Sequence, residues 1–135
     1  MQRYLFSYAG AALAFLALDF AWLMIMNKRL YKPVLGPIML ETPRMAPIAL
    51  FYLIYLAGIV LFAVSPALRD NNWRTAAMMG AAFGFVAYAT YDLTNHATLT
   101  VWQSHITMID LAWGTFVTAC GAVGGYLMAD WLGGK

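Results

Sequence analysis

The chain has 135 residues, of which 63% are hydrophobic and 10% charged, with a formal net charge of +2. A soluble domain carries about a quarter charged residues, so this composition excludes an ordinary water-soluble globule. No basic run or aromatic–basic interleaving points to a nucleic-acid partner, and the lone Cys120 excludes an intrachain disulfide.

The length suits one compact unit, residues 1–135. After Met1, Gln2 and Arg3 comes an apolar stretch, residues 5–26, whose only charge is Asp19. It is longer than a signal-peptide core and no small-x-small cleavage site follows, so it reads as a retained signal anchor. Residues 27–45 read as a polar, basic connection containing Pro33, Gly36, Pro37 and Pro43. The second apolar stretch, 46–64, is uncharged; Pro47 falls in its first turn, where proline is tolerated, and Ser65-Pro66 reads as its stop. Arg69 to Arg74 is a short loop. The third stretch, 75–99, is charged only at Asp92. The fourth, 106–132, holds Asp110 inside and Asp130 near its end.

Each stretch is long enough to cross roughly 30 Å of hydrocarbon, which takes about 20 residues. None alternates as a barrel strand does, and only helices would satisfy their backbone groups in lipid. The expected fold is all-α, a four-transmembrane-helix bundle running up-down-up-down. That topology puts Lys28, Arg29, Lys32 and Arg44 on one side and Arg3, Arg69, Arg74 and Lys135 on the other. The positive-inside rule therefore decides no orientation, and the denser first-loop cluster leans cytoplasmic.

The same topology gathers the ionisable groups. The end of helix one (Asp19), the end of helix three (Asp92, Asn95, His96) and the start of helix four (His105, Asp110) share one half of the bilayer. Tyr88, Asp92, Asn95 and His96 are three and four residues apart and form one stripe. Asp19-Phe20-Ala21-Trp22 and Asp110-Leu111-Ala112-Trp113 are alike and run in opposite directions, as in the inverted repeats of transporters. An alanine- and tryptophan-rich chain also supplies such a match by composition alone. In the opposite half lie Gly10 and Ala14, Gly80 and Gly84, and Gly121, Ala122, Gly124 and Gly125. Small residues at this spacing let helix backbones approach closely. The expected object is a bundle clamped at one end and able to hold a polar cavity at the other.

A carboxylate near the bilayer centre costs about 2.5–3.5 kcal/mol, so three approach roughly 10 kcal/mol, the whole stability of a typical domain. Protonation, a bound cation, or pairing with His96 or His105 would offset that. Asp92 with Asn95 and His96 is the strongest constellation, since intramembrane ionisable groups mark functional sites. For Asp110, stabilisation by its helix dipole is an equal alternative. Asp19 could simply bond a neighbouring hydroxyl, and His105 reads as an interfacial residue. The candidate binding set is Asp19, Asp92, Asn95, His96 and Asp110. For a metal, His96, His105 and Asp92 are the candidates, at a spacing that matches no standard zinc set. Trp22, Trp102, Trp113, Trp131 and Tyr4 read as interface anchors and packing, and the nine methionines as core filling.

The run Tyr88-Ala89-Thr90-Tyr91-Asp92-Leu93-Thr94-Asn95-His96-Ala97-Thr98-Leu99, then Trp102, then Asp110-Leu111-Ala112-Trp113-Gly114, together with Asp19 and Trp22, resembles a bacterial family of predicted membrane proteins defined as a domain of unknown function. The resemblance covers essentially the whole chain, and Tyr-Asp-Leu-Thr-Asn is its most specific part. It implies four helices, an inner-membrane location and importance for Asp19, Asp92, Asn95 and Asp110. It implies no activity and no cofactor. Three functions fit these readings. The first is a small proton- or cation-coupled transporter, which with four helices would need a homodimer. The second is a membrane enzyme acting on a lipid or other apolar substrate. The third is a non-catalytic subunit of a larger membrane complex. Membrane lipids are the partners common to all three.

Overall fold

The computed structural model describes residues 1–133. Gly134 and Lys135, the latter among the cations assigned above to one end, lie outside the described residues. Four long helices form an antiparallel bundle: α1 (Gln2–Ile38), α2 (Met45–Asp70), α3 (Trp73–Thr98) and α4 (Ser104–Leu132). There is no strand among the described residues. α4 is the central element, packed along its length against both α1 and α3.

Three helices, α1, α2 and α4, are long and apolar enough to cross a membrane. α3 is comparably long at 26 residues but less apolar. Part of the difference is an exposed stripe of Thr90, Thr94 and Thr98. Each of these hydroxyls donates to the carbonyl four residues back, at 2.8, 2.5 and 2.8 Å. The hydroxyls are thus satisfied within the helix and present mainly methyl groups outward. Around the perimeter Leu13, Ile54, Leu61, Met78, Val86 and Met108 are each more than half exposed. Apolar surface on this scale suits lipid and not water.

Two helix ends differ from the sequence expectation. Residues 27–45 were read as a connection, yet α1 continues to Ile38 through a π-helical turn at Asn27–Tyr31 and short segments at Lys32–Leu35 and Gly36–Ile38. Leu30 explains the extension: it is buried against Trp102 and Ile106 at the α4 start. Pro33 falls in the first turn of its segment, where its missing N–H costs nothing. Likewise, Ser65-Pro66 does not stop α2. A π-helical turn, Val60–Val64, ends one residue short of the proline, and a fresh α-helical segment, Ser65–Asp70, starts after that turn. The widened turn resets the hydrogen-bond ladder just where proline cannot join it. α2 ends instead at Asn71, in the left-handed region at φ 51°. Asn72 then caps α3, its side chain accepting from the Arg74 N–H at 3.0 Å.

The half away from the acidic residues is closed by small residues. A Cβ built on Gly124 would lie 2.7 Å from the Ala14 Cβ, and one on Gly80 would lie 2.7 Å from the Ala122 Cβ. A Cβ on Gly10 would meet the Met128 Cβ at 2.7 Å. Ala11, Phe15, Ile59, Ala63, Val64, Val117 and Ala122 fill the interior between these contacts. Replacing Gly124 by leucine should therefore lower the melting temperature in detergent markedly, since overpacking costs about 1–3 kcal/mol or more. The same change at Gly36, where a Cβ meets nothing within 4 Å, should leave it nearly unchanged.

Candidate functional site

At the other end the helices diverge. α2 meets α3 chiefly along Val60–Val64, and towards Met45 the two separate. The gap is a cavity of about 680 Å³. Its wall is aromatic and aliphatic: Phe51, Tyr52 and Tyr55 from α2, Tyr88 and Tyr91 from α3, Leu23 from α1. Among the described residues, Asp92 and Asp110 are its only ionisable carboxyl groups, and no Lys, Arg or His lines it.

The three aspartates are served unequally. Asp19 Oδ2 accepts from the Tyr52 hydroxyl at 2.6 Å, and its Oδ1 accepts from Trp113 Nε1 at 3.3 Å. Asp110 Oδ1 accepts from the Tyr31 hydroxyl, which in turn accepts from Trp22 Nε1 at 3.1 Å. Asp92 is completely buried, and neither of its oxygens accepts a hydrogen bond from a donor group. Asp110 is the other carboxyl group at the same cavity, and the two repel when both are charged. A buried group without a donor loses its hydration with nothing in return, so Asp92 is the group whose presence folding does not explain.

The two Asp-x-x-Trp pieces meet face to face. Trp22 and Trp113 stack with ring centroids 4.2 Å apart and planes 7° from parallel. Each indole N–H points to the other helix's aspartate, directly from Trp113 to Asp19 and through Tyr31 from Trp22 to Asp110. These two tryptophans therefore pack against each other and also donate into the polar network. Trp131, next to the end of α4, is 89% exposed. Trp102 is buried and donates to Thr107 Oγ1 at 3.0 Å.

Among the residues expected at the site, Asp92 and Asp110 line the cavity and Asp19 stands behind Tyr52. Asn95 is half-buried and His96 exposed, and neither lines it. His96 instead faces Ser104 and Thr107, at 3.4 Å from each hydroxyl. His105 is exposed. Among the described residues no three of His, Cys, Asp or Glu form a group that could hold a metal ion. Sequence reasoning missed Tyr31, Tyr52 and Tyr55. Tyr31 fell in a stretch read as a loop, and Tyr52 and Tyr55 lie on a helix without a charge to draw attention. Gly114 was missed too: the Tyr88 ring lies directly on its Cα, leaving no room for a Cβ.

The family described as "Predicted membrane protein (DUF2177)" matches residues 4–127. The chain belongs to this family. The match takes in α2 and α3 whole, most of α1 and α4, the stacked tryptophans and every aspartate of the network. No curated protein and no solved structure matches the chain.

Tyr52→Phe removes a short bond to a buried carboxylate without changing the ring. It should lower stability by about 1.5–3 kcal/mol, the range for bonds to charged groups. Trp113→Phe should cost at least as much, since the Asp19 bond is lost and the stack is weakened. Thermal melts of both variants in one detergent check the order.

Proposed function

We propose that the protein is a small proton-coupled carrier of the bacterial inner membrane, crossing it with all four helices and working as a homodimer. Its substrate is a small amphipathic solute held in the cavity between α2 and α3. The observation that carries this reading is Asp92: a fully buried carboxyl without a donor, against a second carboxyl, at a cavity otherwise lined by aromatic and aliphatic groups. Two carboxyl groups at one dry cavity cannot both hold a charge cheaply, so the pair keeps a proton that an arriving ligand can displace. A volume of about 680 Å³ is that of a pocket for a drug-sized molecule.

The asymmetry of the bundle supports the homodimer. The cavity belongs to one half, and the other half is shut by helix contacts too close to admit a side-chain carbon. One copy therefore has a site but no path, and a second copy would supply the missing half. The enzyme reading finds less support, because His96 and His105 stand apart from the carboxyl pair.

The reading is tested in proteoliposomes loaded with a pH dye and challenged with amphipathic probes of each charge: tetraphenylphosphonium, tetraphenylborate and triphenylphosphine oxide. At least one probe should drive a change of internal pH beyond that in protein-free vesicles, and Asp92→Asn should abolish it. If no probe moves protons in the wild type, the carrier reading fails.

A further inference from the structure

We infer that the cavity takes a hydrophobic organic cation, a molecule with one positive charge on an aromatic or branched alkyl body, admitted from the lipid between α2 and α3. The inference rests on reading this cavity as a ligand site and names the chemical class of its occupant.

Charge decides first. The groups that face the Asp92–Asp110 pair are negative or neutral from every side. Tyr31 comes from α1, Tyr52 and Tyr55 from α2, and Tyr88 from α3, with Asp19 behind Tyr52. Among the described residues no cation lines the cavity to receive an anion. Asp92 has both oxygens unclaimed by any donor and no exposure to water. An arriving cation supplies the partner that the fold withholds. If it displaces the shared proton, the total charge of the occupied cavity is the same as that of the empty one, so no new charge is buried. An anion leaves the carboxyl unpaired, and a neutral molecule offers it a hydrogen bond at most.

The wall decides the rest. Tyr55, Tyr88 and Tyr91 present aromatic rings to the cavity, with Phe51 beside them at its edge. Ring faces attract a cation electrostatically as well as covering apolar surface, and the attraction grows when both are out of water. A small hydrated metal ion would leave most of this wall unused. Phe51 and Tyr91, on opposite sides of the gap, are 47% and 62% exposed. Both lie within the membrane-facing perimeter, so the mouth opens sideways towards lipid, where a hydrophobic cation accumulates.

The test uses the full chain in detergent and equilibrium dialysis of labelled tetraphenylphosphonium, tetraphenylborate and triphenylphosphine oxide, with protein-free micelles subtracted. The first two probes share shape and differ in sign. Wild type should bind tetraphenylphosphonium saturably and at least tenfold more tightly than either other probe. Asp92→Asn should weaken that binding at least tenfold, and Asp110→Asn should weaken it in the same direction. The wild-type comparison needs no variant, so a misfolded mutant does not hide the answer. Equal or tighter binding of tetraphenylborate or the neutral oxide would overturn the inference. So would tetraphenylphosphonium binding that is unchanged in both variants. Proton movement driven by the borate or the oxide would sink the cation and leave the carrier reading standing. Charge-selective binding without proton movement would sink the carrier and leave the cation.

Discussion

A carboxyl group in hydrocarbon needs something to replace its lost water, and the acidic half of this bundle is arranged around that need. Asp19 draws on a tyrosine of α2 and a tryptophan of α4. Asp110 draws on Tyr31, which the unforeseen extension of α1 carries to it. These donors come from helices far apart in sequence, so the hydrogen bonds also fix how α1, α2 and α4 stand against one another. The stacked Trp22 and Trp113 hold the two Asp-x-x-Trp pieces together where the antiparallel helices cross. Asp92 stands outside this arrangement. It gets burial without a donor, and that exception defines the site.

The other half is governed by backbone proximity. In lipid there is little hydrophobic drive between helices, so close packing of small residues does more of the work. Gly10, Gly80 and Gly124 bring backbones to distances that no larger residue permits. Locked there, α2 remains against α3 along Val60–Val64 and separates from it further on. The π-helical turn at Val60–Val64 lies where contact gives way to cavity. Clamp and cavity are thus two consequences of one packing gradient along the same helices.

Much of the fold was legible in the sequence because its cause is local. Four apolar stretches without alternation leave helices as the only lipid-compatible choice, and glycine spacing located the tight end. Helix ends were less legible. Pro33 and Pro66 are breakers by local rule, but a π-helical turn before Pro66, and the burial of Leu30 near Pro33, let the helices run on. At the site, helical spacing put Asp92 on a stripe with Tyr88, Asn95 and His96, yet a stripe is wider than a cavity. Only Tyr88 and Asp92 of the four line it. Spacing on one helix says which residues are neighbours there, not which other helix they meet. Hence Tyr52 and Tyr31, the donors to Asp19 and Asp110, were invisible. The signal that could have exposed the network was the pair of like tetrapeptides, read as antiparallel partners in contact.

The account stands on Asp92 being kept for its chemistry and against the interest of folding. The direct measurement is the melting temperature of Asp92→Asn beside wild type, in detergent without added ligand. The amide cannot ionise and can still donate to Asp110, so the variant should melt at or above the wild-type temperature. A variant that melts several degrees lower, as loss of a structural bond would make it, would contradict the account.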